Sequence, residues 1–232
     1  MSFERSASRK SFDSGSDSWN GTLIESEQLW RDVRSEFVTA HGGRWSEDAQ
    51  VAMIGMRTAE WSQEWSQYIH DELGVALAPS AIAEQVVETV VERVSQRVPV
   101  LPGAAAALER LAGTFVLGLA TSATLVVAQT VLAKTGWDAR FAVVVSADAV
   151  SRGKPAPDVY LRALALLEAD PSRTAAIEDS GNGIRSAHAA QLHVVAILNR
   201  SYPPDADALS LAERVLASLD DLDVLTIRHL LQ

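Results

Sequence analysis

From Ile24 to about Val98 apolar residues recur at helical spacing. The pattern is clearest in "LWRDVRSEFVTAHGG" (29–43) and "SAIAEQVVETVVERVSQRV" (80–98), with Ser80 a helix N-cap in the second. Inside this block "EWSQEWSQ" (60–67) repeats every four residues, which puts Trp61 and Trp65 on one helix face as core aromatics. After Pro99 the period changes. Short β-rich runs, "TFVLGLA" (114–120), "FAVVVSA" (141–147), "TAAIE" (174–178), "HVVAIL" (193–198) and "RVLAS" (214–218), alternate with helical stretches. Strands separated by helices of this length predict a parallel sheet in an α/β layer fold. Ligands of such sheets bind outside the carboxyl ends of the strands.

Two segments depart from these patterns. Residues 115–133, "FVLGLATSATLVVAQTVLA", carry no charge and approach the ~20 residues of a membrane-spanning helix. Gly118, Thr121, Ser122, Thr124, Gln129 and Thr130 dilute the run, which divides better into a strand, a turn and a helix, so no membrane association is expected. Residues 1–20 contain seven serines, and only Met1, Phe3, Ala7, Phe12 and Trp19 are apolar. That composition reads as a tail without a packed core. It has no apolar leader region, so a cytoplasmic protein is the expectation.

With 232 residues, 47% hydrophobic and 22% charged, the chain fits one large globular domain or two modest ones. A net charge of -10 without a Lys/Arg cluster argues against a nucleic-acid surface. The absence of cysteine excludes disulfides, thiolate metal sites and cysteine nucleophiles.

Three strand ends carry candidate chemistry. In "LATSA", Thr121 and Ser122 follow the strand directly, and hydroxyls with backbone N–H groups at a helix start can cradle phosphate, although both residues are also ordinary N-caps. In "SRGKPAPDVY" (151–160), Gly153 and Pro155 flank Lys154, and Pro157 opens the next helix. Such flanks fix one lysine as a point charge for phosphate. In "IEDSGNGI" (177–184), Glu178 and Asp179 end an apolar strand, where hard carboxylate oxygens suit Mg²⁺. Three such ends, in order, point to one site.

The constellation resembles the haloacid dehalogenase superfamily, in its β-phosphoglucomutase-like phosphatase branch, from about Asn20 to Leu222. "NGTLIESE" resembles the family's first motif, Thr121 the second, Lys154 the third and Glu178-Asp179 the fourth. The resemblance implies a doubly wound, Rossmann-like α/β core (20–27 and 97–232), an inserted helical cap (28–96) and an atypical segment ahead of them (1–19). It further implies Mg²⁺ held by Asp179 and Glu178, phosphoryl oxygens held by Thr121, Ser122 and Lys154, and a small phosphorylated metabolite as substrate. In the cap, "IGMRTAEW" (54–61) is similar to the family's specificity loop, so Arg57 is a candidate substrate contact. A monomer or dimer is expected.

The first motif departs from the family's Asp-x-Asp-Gly-Thr. Aligned on Gly21-Thr22, Ser18 fills the nucleophile slot and Asn20 the acid/base slot. A serine hydroxyl needs a neighbouring base to attack, and asparagine cannot shuttle a proton. The preceding "SRKSFDSGSDSW" is also not the apolar run of a central parallel strand, so that strand is expected to be missing. Three explanations stand: Asp17 or Asp13 substitutes for the nucleophile, the chain binds a metabolite without turnover, or the segment ahead of Gly21 is not native. The missing strand favours the last. The expected activity is Mg²⁺-dependent phosphate-ester hydrolysis, with a phosphomutase and a silent binding protein as alternatives. Gln191 stands where a helix-ending glycine would suit a left-handed turn.

Overall fold

A computed structural model describes residues 12–15, 22–46, 53, 56–199 and 201–232. Its centre is a six-stranded sheet of β1 (Phe12–Gly15), β2 (Val116–Thr121), β3 (Phe141–Ser146), β4 (Thr174–Glu178), β5 (His193–Ile197) and β6 (Arg214–Leu216). The order is β3-β2-β1-β4-β5-β6, and every pairing is parallel. The chain thus winds outward from β1 in one direction and returns at β4 to wind in the other. The crevice outside β1 and β4 is where this topology places ligands.

Strand alternation explains why both faces are covered. Leu117, Leu119, Ala175, Ile177, Val195 and Ile197 join one apolar cluster, while Ala120, Ala176, Val194 and Ala196 join the other. Helices α4 (Ala104–Ala112) and α5 (Leu125–Thr135) contribute Leu108, Leu111, Val127 and Val131 to the first face. Helices α6 (Asp158–Leu167) and α7 (Gly181–Ala189) contribute Val159, Tyr160, Ala163, Ile184 and Ala187 to the second. Short helices α8 (Ala206–Leu209) and α9 (Val224–Leu230) complete the described core.

The expectation of a missing central strand is corrected. β1 lies between β2 and β4, with Asp13 in register with Leu117 and Ala175, and Gly15 in register with Leu119 and Ile177. The apolar-run criterion failed because the pairing of a central strand is made by backbone N–H and C=O groups, which "FDSG" supplies as well as any apolar tetrapeptide.

The helical block forms the cap. Helices α1 (Glu27–Ala40), α2 (Thr58–Leu73) and α3 (Pro79–Gln96) bury Trp30, Val33 and Phe37, Trp61, Trp65 and Ile69, and Ile82, Val86, Val90 and Val94 at helical spacing. The Trp61 and Trp65 rings meet edge-on with centroids 5.7 Å apart, as core aromatics. Helix α3 is capped by Ala78 and begins at Pro79, so Ser80 is not its N-cap. Proline leads there because its fixed φ suits the first helical position and no N–H is wasted. Two chain crossings join cap to core side by side, through an Ile24–Val100 bridge flanked by Glu25 N–H to Pro99 O at 2.8 Å and Leu101 N–H to Leu23 O at 3.0 Å. The uncharged run 115–133 divides into β2 and α5, and no helix among the described residues is long and apolar enough to cross a membrane. Gln191 adopts φ 63°, the left-handed turn where glycine was expected.

Candidate active site

The site is assembled at the carboxyl ends of β2, β4 and β5. Thr121, fully buried, ends β2, and its Oγ1 accepts the Ala123 N–H at 3.1 Å. Thr124 then caps α5 through the Val127 N–H, and Ser146 Oγ donates to Ala123 O at 2.7 Å, so the turn carrying Ser122 is fixed from both sides.

Lys154 arrives from the loop before α6. Its side chain is fully buried, and its Nζ donates to Glu178 Oε1 at 3.0 Å and to Ala120 O at 3.5 Å. A buried ammonium is stable only when paired and hydrogen-bonded. Here the pairing ties the loop lysine to the end of β4 and to the residue before Thr121. The Tyr160 hydroxyl, in the first turn of α6, donates to the same Glu178 Oε1 at 2.5 Å. Glu178 Oε2 is buried with no hydrogen-bond partner among the described residues.

Asp179 is oriented by two donors, Thr22 Oγ1 on Oδ1 and Asn199 Nδ2 on Oδ2, both at 3.0 Å. Asn199 is itself held, because its Oδ1 accepts the Ser201 and Tyr202 N–H groups at 2.9 and 3.0 Å. Neither Asn199 nor Tyr160 was singled out in the sequence. Asn199 sits just beyond the apolar strand of "HVVAILN", where the strand-end rule would have found it; Tyr160 is hidden in an amphipathic helix.

Arg57 reaches the same loop from the cap. Its Nε donates to Glu60 Oε1 at 2.9 Å, its Nη1 to Val150 O at 3.0 Å, and its backbone N–H to Glu60 Oε2 at 2.8 Å, closing a capping box at the start of α2. Thr58 N–H and Oγ1 both bond Asp148 at 3.3 Å. Gly153, next to Lys154, lies beneath, where a Cβ would fall 2.8 Å from Arg57 Cγ. The cap therefore closes directly on the lysine loop. Deeper in the cap, the buried Arg34 guanidinium lies 5.1 Å from the Trp30 ring and 5.3 Å from that of Trp61. Burial pulls its pKa down to about 10, with Glu27 opposing the shift.

The structure thus gathers Thr121, Lys154, Glu178 and Asp179 at the carboxyl ends of β2 and β4, on either side of β1, and brings Arg57 against the lysine loop. Ser18, Asn20 and Asp17 lie outside the described residues. Asp13 lies within β1, four positions ahead of the register of Thr121 and Asp179. Among the described residues no group of three or more His, Asp or Glu side chains could hold a metal. Mg²⁺ is commonly bound by only one or two carboxylates with water and substrate oxygens, and the buried, unpartnered Glu178 Oε2 beside the oriented Asp179 fits that donor set.

A family profile for haloacid dehalogenase-like hydrolases matches residues 20–197. The chain belongs to that family. It is an enzyme of this hydrolase type. It is similar to the protein CbbY of Rhodobacter capsulatus, 33% identical over 184 residues, covering 76% of this chain and 81% of that one. A bifunctional riboflavin kinase/FMN phosphatase of Arabidopsis thaliana is 26% identical over 210 residues, covering 88% of this chain but only 52%, about half, of that longer protein. Among solved structures, a mutant CbbY of Rhodobacter sphaeroides in complex with xylulose-(1,5)bisphosphate superposes with a TM-score of 0.79 at 25% identity, covering 94% of this chain and 99% of that one.

Proposed function

We propose that this haloacid dehalogenase-like hydrolase is a Mg²⁺-dependent phosphatase of a small phosphorylated metabolite of the sugar-phosphate kind. The observation that carries the reading is the fully buried Lys154 ammonium, held 3.0 Å from Glu178 at the same strand ends as the doubly oriented Asp179. Lys154, Thr121 and Ser122 hold the phosphoryl oxygens, where preorganised donors act best because water is excluded. Asp179, with Glu178 behind it, holds Mg²⁺, which when bound offsets phosphoryl charge. The cap, docked through Arg57 and Thr58, excludes water and selects the substrate. The relatives that carry phosphatase names or a bound sugar bisphosphate support the substrate class.

Of the two carboxylates that could replace the nucleophile, register places Asp13 too far from the strand ends, which leaves Asp17, outside the described residues. Asp13 pairs four positions ahead of Thr121 and Asp179. At ~3.3 Å per residue that is ~13 Å from the strand ends. In the proposed reaction an Asp17 oxygen attacks phosphorus and the ester oxygen leaves with a proton from solvent. Water then cleaves the aspartyl phosphate. Asn20 cannot deliver that proton, so turnover is slow.

A second reading, a binding protein without turnover, draws on the Ser18-Trp19-Asn20 sequence in the nucleophile motif. A panel of phosphate esters assayed with and without Mg²⁺, alongside Asp179→Ala and Asp17→Asn, separates the two. Mg²⁺-dependent turnover lost in both variants supports the phosphatase. Ester binding without turnover in folded protein supports the silent site. Conversion of a hexose 1-phosphate to the 6-phosphate would make the chain a mutase.

A further inference from the structure

We infer that Tyr160 is a positioning residue for phosphate, acting through Lys154; the inference builds on the phosphate site proposed above. Tyr160 is completely buried, and so is the Glu178 carboxylate it meets. Its hydroxyl donates to Glu178 Oε1 at 2.5 Å, while Lys154 Nζ donates to that same oxygen at 3.0 Å. The aromatic ring also lies 5.1 Å from Lys154 Nζ, within reach of a cation–π attraction. One phenol therefore touches both members of the ion pair, the carboxylate through its hydroxyl and the ammonium through its ring.

Geometry gives this arrangement a consequence. A buried carboxylate bonded only to the ammonium could swing about its Cγ–Cδ bond and carry Lys154 with it. With Tyr160 on Oε1, and Gly183 so near that a Cβ on it would fall 2.1 Å from Oε2, the carboxylate has little room to swing. The ammonium is then held between Glu178 Oε1 and Ala120 O, beside the Thr121 end of β2, and its direction is set before phosphate arrives. Preorganisation of this kind lowers the cost of binding an anion, because the donor does not reorient.

The test is orthophosphate affinity of the full chain, read by ³¹P NMR titration, in Tyr160→Phe, Lys154→Met, Thr121→Ala and the doubles that combine Tyr160→Phe with each of the others. Phenylalanine keeps the ring and removes only the hydroxyl. Tyr160→Phe should weaken phosphate roughly 10–100-fold, the scale of a hydrogen bond to a charged group. The same change should have no further effect in the Lys154→Met background and its full effect in the Thr121→Ala background, since only coupled residues depart from additivity. An equal loss in both backgrounds, or none in the wild-type background, overturns the positioning role and leaves the phosphate site standing. Phosphate binding indifferent to Lys154→Met overturns both. Should Tyr160→Phe not fold, the wild-type chain still decides. A Tyr160 hydroxyl proton that exchanges slowly and shifts when phosphate is added supports the role; one exchanging as fast as an exposed phenol overturns it.

Discussion

Gly183 lies directly against the Glu178 carboxylate: a Cβ built on it would stand 2.1 Å from Oε2 and 2.4 Å from Oε1. Both oxygens and Gly183 are buried, so neither side has room to yield. The glycine is needed for space and not for backbone freedom, since it sits inside α7.

Gly183→Ala is therefore expected to displace Glu178 and with it Lys154, lowering stability by about 1–3 kcal/mol, the usual cost of overpacking a filled interior. Removing the obstacle should remove the effect. In a Glu178→Ala background the added methyl has space, so Gly183→Ala should cost far less there. Thermal melting of the two singles and the double measures this. Equal costs in both backgrounds would mean that Glu178 is not what the methyl meets.

Glu25 lies at the cap–core crossing and is half-buried, with burial pushing its carboxyl above the ordinary value of 4.5 and the Gln28 N–H pulling it down. A raised folded-state pKa means that ionisation disfavours the fold. Its contribution is fully favourable below pH 4.5 and is lost as pH rises through the folded value. Glu25→Gln should raise the melting temperature at pH 7 by ~1–3 °C, with the gain vanishing below the unfolded pKa. A gain independent of pH, or a loss at pH 7, would contradict the sign.

The buried Arg34 has Glu27 as its electrostatic counterpart, and both are buried. Removing one member of a buried pair leaves an uncompensated charge, whereas removing both can be neutral. Arg34→Met alone should cost roughly 3 kcal/mol, and Glu27→Gln/Arg34→Met should recover most of it. Denaturant titration of single and double variants is the measurement. Additive losses would mean that the two charges do not depend on each other.

Much of this architecture was legible in the chain. The runs at 114–120, 174–178 and 193–198 became β2, β4 and β5 because apolar strands buried on both faces leave a continuous signal, and the runs at 141–147 and 214–218, more exposed, became the edge strands β3 and β6. Lys154, Glu178 and Asp179 were legible because each follows or flanks such a run. β1 was not, since its four residues make pairings that no side-chain pattern records. Tyr160 was missed for a related reason: a phenol that faces the core of an amphipathic helix looks like packing, and only the 2.5 Å approach to Glu178 distinguishes it. Ser80 misled because serine is a strong cap, yet the proline before it suits the first helical position better.

The substitutions at Ser18 and Asn20 bear on the chemistry most directly. The side chains proposed to hold phosphate and Mg²⁺ lie together, with Lys154 paired, Asp179 oriented and Arg57 docked on the lysine loop. If the deficit is confined to the first motif, restoring its two carboxylates should restore the rate without rebuilding the rest. Ser18→Asp/Asn20→Asp is expected to raise Mg²⁺-dependent ester hydrolysis by at least ~100-fold, the lower end of what general acid–base catalysis contributes. Ser18→Asp alone should trap more phosphate on the enzyme than Asp17 does in the unmodified chain, since the added nucleophile would attack but Asn20 could not activate water to release it. Mass spectrometry of the single variant after exposure to an acyl phosphate, whose leaving group needs no proton, would reveal the adduct. If the double variant folds, binds orthophosphate through Lys154 and still does not turn over, the segment ahead of Gly21 fails to bring position 18 to the strand ends, and the fault lies in the path of the chain as well as in the two side chains.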